Sequence, residues 1–174
     1  MIVGVISDTH DKFATIDKAL EAFMAHGVER IIHCGDWKSL DTLIYFAEQA
    51  GLLKLPVSGV LGNNDLDIIN FLARAGTYKD FDIHEGILEV NLDGKKGAIY
   101  HGHHAPTLRR VRENEAYDVI FLGHTHKPKI EEVNQKLIIN PGSTAFAIPR
   151  SKTWLPTIAL LDTDTMSAKI VTLV

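Results

Sequence analysis

The chain opens on an unbroken apolar run, Ile2 to Ile6, and turns polar at Ser7 and Asp8. A run without alternation predicts a strand covered on both faces. Apolar residues at Ile16, Ala19, Leu20 and Phe23 then share one helical face, with Gly27 as a stop. The pattern recurs: a strand over Arg30 to His33, a helix over Leu40 to Ala50 ended by Gly51, a strand over Pro56 to Leu61, and a helix over Leu66 to Ala75. This β-α-β-α-β-α order predicts parallel strands joined by right-handed crossovers.

The second half follows a different pattern. Ile87 to Leu92 and Gly97 to Tyr100 flank Asp93-Gly94, a strong hairpin signal. Pro106 to Asn114 reads as a helix and Val119 to Leu122 as another buried strand. Lys129 to Val133 and Lys136 to Ile139 flank Asn134-Gln135 as a second hairpin. Thr157 to Leu161 and Ala168 to Leu173 flank the polar stretch Asp162 to Ser167 as a third. The expectation is an α/β fold, a four-layer α-β-β-α sandwich of two mixed sheets with flanking helices. With 174 residues and no visible linker, repeat or low-complexity tract, one domain over 1–174 is expected.

Composition narrows the partners. The hydrophobic fraction of 45% and charged fraction of 23% are those of an ordinary globular chain. A net charge of −4 argues against stable nucleic-acid binding through a broad basic face. The single cysteine, Cys34, allows no internal disulfide and no multi-thiolate zinc site. No segment approaches the ~20 apolar residues of a membrane span, and the N-terminus lacks the features of a signal peptide. A cytoplasmic location without membrane association is expected, and a homo-oligomer is left open.

The polar residues carry more information. Asp8 and His10 follow the first strand, Asp36 the second, and Asn63, Asn64 and Asp65 the third. His101 and His103 follow the strand ending at Tyr100, and His124 and His126 the one ending at Leu122. Ligands of open α/β sheets bind beyond the carboxyl ends of the strands. Five successive strand ends offering Asp, Asn or His are hard to explain by packing or turn capping. If the backbone stays extended, Asp8 and His10 point the same way, as do His124 and His126. Gly35, Gly62, Gly102 and Gly123 sit beside these residues, where tight turns or close backbone approach need them. Carboxylate, carboxamide and imidazole donors without thiolate suit manganese, nickel, iron, zinc or cobalt better than magnesium.

Asp-x-His, Gly-Asp, Gly-Asn-x-Asp, His-Gly-His and Gly-His-Thr-His, in this order, resemble the calcineurin-like metallophosphoesterase superfamily. The short length, the Gly-Asn-x-Asp form and Asn140-Pro141-Gly142-Ser143 resemble its small YfcE/MJ0936-type phosphodiesterase branch. The resemblance runs from Met1 to about Leu161. It implies two divalent transition metal ions, with manganese foremost. Asp8, His10 and His126 would hold one, Asn63, His101 and His124 the other, and Asp36 would bridge both. Two such ions supply a hydroxide near neutral pH and stabilise the attacking and leaving oxygens of an in-line displacement. The implied activity is direct hydrolysis of a small phosphodiester, with a phosphomonoester as a variant substrate.

One position departs from the superfamily pattern. Many members carry His where this chain has Asn64, and the small branch often has Cys. Asn64 can donate a hydrogen bond to a phosphate oxygen but cannot release a proton near neutral pH; its other reading is a turn residue at positive φ. His103, the second His of His-Gly-His, is the nearest candidate to compensate, and Asp65 could orient a ligand. Asn64 and His103 are therefore the candidate catalytic residues.

Other residues have plainer readings. His26, His84 and His104 read as surface residues, His33 as packed beneath the site, and Cys34 as a small buried hydrophobe. Trp37 and Lys38 either line the cleft mouth or pack. Arg109, Arg110 and Arg112 form a solvated helix face, unless one of them reads a substrate phosphate or carboxylate. The competing reading of the whole chain is a non-catalytic, Vps29-like interaction scaffold. Such scaffolds lose ligands, whereas all seven matched positions here remain chemically competent. A nuclease acting on longer nucleic acid is a third reading, disfavoured by the acidic balance.

Overall fold

The computed structural model describes residues 1–145 and 155–174. Strands β1 (Ile2–Ile6), β2 (Arg30–His33), β3 (Val57–Val60) and β4 (Phe81–His84) run parallel. Helices α1 (Phe13–Ala25), α2 (Leu40–Leu53) and α3 (Ile68–Ala75) connect them. The antiparallel pair β10 (Thr157–Asp162) and β11 (Ser167–Thr172) completes a six-stranded mixed sheet in the order β11-β10-β1-β2-β3-β4. The second sheet has the order β5-β6-β7-β9-β8, from β5 (Ile87–Leu92), β6 (Lys95–Tyr100), β7 (Val119–Leu122), β8 (Lys129–Val133) and β9 (Lys136–Asn140). Helix α4 (Ala105–Glu113) joins the parallel strands β6 and β7.

Three buried apolar clusters separate four layers. Alternation along β1 sends Val3 and Val5 to the inter-sheet cluster, with Ile32, Val60, Ile99 and Phe121. Ile6 and Ile31 face the cluster built with Phe23 of α1, Phe46 of α2 and Phe71 of α3. The outer side of the second sheet contributes Ala98, Ile120 and Ile138, which pack with Val111 of α4. The result is the expected α-β-β-α sandwich of two mixed sheets. Among the described residues, no helix is long and apolar enough to cross a membrane.

The three expected hairpins form as antiparallel pairs. Asp93 and Gly94 take φ of 54° and 85°, and Asn134 and Gln135 take 53° and 63°. Both turns thus use the left-handed backbone that matches strand twist. Elsewhere the boundaries shift. Helix α2 continues through the exposed Gly51 and stops at Lys54, whose φ of 57° takes the left-handed cap position usually given to glycine. Helix α3 starts at Ile68 rather than Leu66, because Asp65 turns back to accept the Gly62 N–H at 2.7 Å. Strand β4 lies in a stretch with no strand expectation. Its Phe81 and Ile83 are buried while Asp82 and His84 face solvent, as suits a sheet edge.

Candidate metal centre

The carboxyl ends of β1, β2, β3, β6 and β7 meet along one edge of the sandwich. Backbone hydrogen bonds join four of the five loops in pairs: Asp8 N–H donates to Gly35 O at 2.9 Å, and Gly123 N–H to His101 O at 3.0 Å. His124 N–H donates to the Asp8 carboxylate at 3.1 Å. The close approach explains two glycines. A Cβ on Gly62 would collide with the Asp36 side chain, and one on Gly123 with Ser7 Oγ.

This edge gathers the sequence-predicted residues into two overlapping groups. In the first, one donor atom each from Asp8, His10, Asp36 and His126 lie within 4.8 Å of one another. Asp8 Oδ1 stands 3.0 Å from His126 Nε2 and 3.8 Å from His10 Nε2, and the two imidazole nitrogens are 3.3 Å apart. In the second, His101 Nε2 is 3.1 Å from Asn63 Oδ1 and 3.3 Å from Asp36 Oδ1. The His124 ring lies beside it, 5.2 Å from the His101 ring between centroids. Asp36 faces both groups, because its Oδ2 is 3.5 Å from His10 Nε2.

The expectation of extended Asp-x-His and His-x-His segments is wrong. Asp8, His10, Asp36, His124 and His126 have φ of 54°, 41°, 61°, 66° and 56°. Left-handed backbone at non-glycine residues is uncommon and strained, and it clusters at functional sites. Here it swings these five side chains off their strand ends and toward one another. Their convergence therefore comes from bends in the three loops after β1, β2 and β7, not from period-two alternation.

Burial and charge are set against each other across the edge. Burial pushes the Asp8 carboxyl up, but the His10 and His126 imidazoles beside it overcome this and hold Asp8 well below the usual carboxylate range. Asp36 is likewise held low, with burial opposed by His101 and Asn64. Burial lowers His101, but Asp36 and Asp8 reverse this and leave it raised. His126 is raised chiefly by the Asp8 carboxylate 3.0 Å away. His124 and His103 are both lowered, by burial first and then by neighbouring imidazoles. A concentration of ionised carboxylates with imidazoles in a buried edge is the electrostatic signature of a cation site.

One atom makes this specific. Asp8 Oδ1 is fully buried and, among the described residues, has no donor in hydrogen-bond geometry, only the His126 and His10 imidazole nitrogens at 3.0 and 3.8 Å, while Oδ2 is engaged by Ser7 and His124. Buried carboxylate oxygens are rarely left without a partner, so this donor atom fits a cation. His101 donates its Nδ1 proton to Cys34 O at 2.8 Å, which turns Nε2 toward the centre in the manner of metal-ligating histidines. The donor chemistry of the seven residues fits divalent transition ions.

The supporting shell is visible in the same detail. Asp65 accepts backbone N–H groups from Asp36 at 3.0 Å, Lys38 at 2.7 Å and Gly62 at 2.7 Å, tying the β2 and β3 loops together. Burial pushes its pKa up to about 6, against the Gly62 and Lys38 N–H bonds and with the help of the Asp36 charge. His33 is fully buried beneath the site and stacks on Trp37 at 3.4 Å between centroids; burial takes its pKa down to about 3. Trp37 is completely buried, with its Nε1–H donated to Val60 O, so it packs and does not line the cleft mouth. Cys34 is buried, and burial raises its thiol pKa. His26 and His84 are exposed, as read from the sequence.

Asn64 is not a positive-φ turn residue. Its Nδ2 donates to Asp36 Oδ2 at 2.6 Å and its backbone N–H to Asp36 Oδ1 at 2.9 Å, so it grips the carboxylate at both oxygens. His103 is exposed, with its ring 5.5 Å from His101 and 6.4 Å from His124. Asn140 donates to Gly123 O at 2.7 Å and Ser143 Oγ to Asp8 O at 2.8 Å, so the Asn-Pro-Gly-Ser turn braces two of the loops. Asp11 went unread in the sequence. It accepts the Ser39 and Thr42 hydroxyls and pins the Asp8–His10 loop to the start of α2. Its proximity to the Asp-x-His motif was the available signal.

Comparison with known proteins agrees with this geometry. The family model described as the calcineurin-like phosphoesterase superfamily domain matches residues 1–166. Phosphodiesterase MJ0936 from Methanocaldococcus jannaschii is 36% identical over 164 residues, covering 94% of this chain and 94% of that protein. The structure of an archaeal phosphodiesterase superposes with a TM-score of 0.87 at 34% identity, over 99% of this chain and 100% of the other. Vps29 from Entamoeba histolytica, in complex with zinc, shares the fold alone, with a TM-score of 0.65 at 19% identity over 100% of both chains. A family match over nearly the whole length, and a relative of this identity over most of both sequences, establish that the chain belongs to the calcineurin-like phosphoesterase superfamily.

Proposed function

We propose that the protein is a dinuclear metal-dependent phosphodiesterase that hydrolyses a small phosphodiester with a good leaving group. The observation that carries this reading is Asp36, whose two oxygens face two separate donor groups, at 3.5 Å from His10 Nε2 and 3.3 Å from His101 Nε2. Asp8, His10 and His126 would hold one ion and Asn63, His101 and His124 the other, with Asp36 between them. Two divalent ions there would supply a water nucleophile ionised near neutral pH and positive charge for the phosphoryl oxygens. Transition ions, manganese first among them, suit four imidazoles with carboxylate and carboxamide.

The chain's own residues do the positioning. Asn64 and Asp65 fix Asp36 from two sides, one at its carboxylate and one at its backbone N–H. Cys34 O fixes the tautomer of His101. Proton supply to the leaving group is the weak element. Asn64 has no titratable proton, and burial with neighbouring imidazoles lowers the pKa of His103, which makes it a poor proton reservoir at neutral pH. Substrates whose leaving group departs as a stable anion therefore suit this centre better than alkyl esters.

Membership of a metallophosphoesterase family supports hydrolase activity, and nothing in the donor set favours the scaffold reading. Since a Vps29 structure contains zinc, ion binding alone does not separate the two; turnover does. Protein stripped with a chelator and reloaded with manganese, nickel, zinc or magnesium is assayed on bis(para-nitrophenyl) phosphate and para-nitrophenyl phosphate. The expected result is restored diester hydrolysis with a transition ion, faster than monoester hydrolysis. If every reloaded form binds its ion and hydrolyses neither ester, the scaffold reading replaces this one.

A further inference from the structure

We propose that the cleft beside the metal centre is a substrate subsite for an apolar arm ending in an anionic group, read by Arg110. This rests on the phosphodiesterase reading and names the kind of diester the centre takes. The cleft, about 550 Å³, shares Asn63 and His103 with the centre and extends to Arg110. Leu66, Ile68 and Ile87 give this otherwise polar cleft one apolar wall. Leu66 is 86% exposed, a large aliphatic group held in water at the rim of a polar centre. Apolar walls with a few fixed polar groups are how small-molecule sites orient an organic moiety.

The three neighbouring arginines have different surroundings. Arg112 pairs with Glu131 at 3.5 Å, and Arg109 lines a different cleft, between α4 and the β8–β9 hairpin. Arg110 lines the metal-side cleft and forms no ion pair among the described residues. The helix explains its placement. Thr107 and Arg110, three apart on α4, share one face of a helix that starts just beyond His103 and its cap residue His104 and leads away from the centre. His104 Nδ1 lies 2.8 Å from Thr107 Oγ1, which keeps that imidazole on the cleft wall. The five helical steps from Ala105 to Arg110 rise about 7 Å. The guanidinium thus stands on the cleft wall away from His103, where the far end of a substrate arm would lie. Its planar fork matches a carboxylate or phosphate. Glu85, on the same cleft, is the one acid that opposes this selection beyond the centre's own Asp65.

The test is calorimetric binding of three non-hydrolysable probes to the manganese-loaded protein: phenylphosphonate, para-carboxyphenylphosphonate and para-aminomethylphenylphosphonate. The carboxylate probe is expected to bind about three- to tenfold tighter than phenylphosphonate. In Arg110→Gln that ratio falls toward one, while Arg109→Gln retains it. Equal binding of the carboxylate and parent probes, the same ratio in Arg110→Gln, or loss of the ratio in Arg109→Gln overturns the subsite alone. Preference for the ammonium probe overturns it in favour of Glu85. Absence of metal-dependent binding by all three overturns the metal-centre reading with it.

Discussion

Asp8, His10 and His126 form a tighter and more highly charged group than Asn63, His101 and His124. The first group owns a buried carboxylate and shares Asp36, and its donor atoms already lie within 4.8 Å of one another. The second has only the shared carboxylate, with an exposed amide and an exposed imidazole at its rim. His101 is its one deeply anchored member, held by Cys34 O. More anionic charge in a more enclosed place favours a dication, so the first group should bind its ion first and more firmly. Preorganisation has an opposing cost, since each non-glycine residue held at positive φ stores about 1 kcal/mol or more. All three residues of the first group are held this way, against His124 alone in the second.

Single substitutions should separate the two groups. Asp8→Asn removes the carboxylate owned by the tighter group, and we expect its manganese affinity to fall about a hundredfold or more, beyond the range typical of changes behind the ligands. Asn63→Ala is expected to keep one tightly held ion and lose the weaker one. Both should lower diester turnover about a hundredfold or more, since neither leaves a complete pair. Titration calorimetry with manganese, read beside turnover, distinguishes them; identical binding curves for the two variants would erase the difference between the groups.

A smaller effect comes from the residue that holds Asp36 in place. Asn64→His introduces a proton donor but removes the amide bond to Asp36 Oδ2. Loss of one such bond should slow hydrolysis of para-nitrophenyl diesters about three- to tenfold, while the imidazole speeds hydrolysis of alkyl diesters. Parallel change on both ester classes would show that residue 64 does not govern leaving-group choice.

The smallest effect is on stability without metal. Asp8 and Asp36 sit below their ordinary value of 3.8, so what they contribute is present above that pH and is lost in acid as pH falls through their folded values. His101 and His126 sit above 6.5, so their contribution is complete below that pH and is lost as pH rises through their raised values. His33, His103 and His124 sit below 6.5 and act in the opposite sense, so the raised pair is read by difference. Between about pH 6 and pH 9, chelator-treated wild type should lose more Tm, or gain less, than chelator-treated His126→Gln. Metal loading should stabilise more at the higher pH, because ions require the deprotonated imidazoles. Melting curves of both proteins at both pH values check this, and an identical pH dependence in the two would contradict the charge network.

The two groups were equally legible in the sequence, but their difference was not. Strands β1 and β7 could be read because burial on both faces makes them continuous apolar runs, and β2 and β3 because they recur between helical patterns; the candidate ligands follow directly from where these strands stop. Strand β4 escaped because it is four residues long and alternates Phe81-Asp82-Ile83-His84 at a sheet edge. The continuation of α2 past Gly51 was hidden because a glycine on an exposed helix face merely weakens the helix. At the centre, residue types predicted who gathers but not how. Positive φ at Asp8, His10 and His126 has no signature in the sequence, since it is imposed by the packing of neighbouring loops. The double grip of Asn64 on Asp36 was equally invisible, because it depends on two loops meeting.

The shared carboxylate tests the account most directly. Manganese content and electron paramagnetic resonance of the loaded protein are measured for the wild type and Asp36→Asn. The account predicts two ions per chain with an exchange-coupled signal in the wild type, and in Asp36→Asn a reduced content, no coupled signal and no appreciable turnover. A coupled pair persisting in Asp36→Asn with full turnover would contradict it.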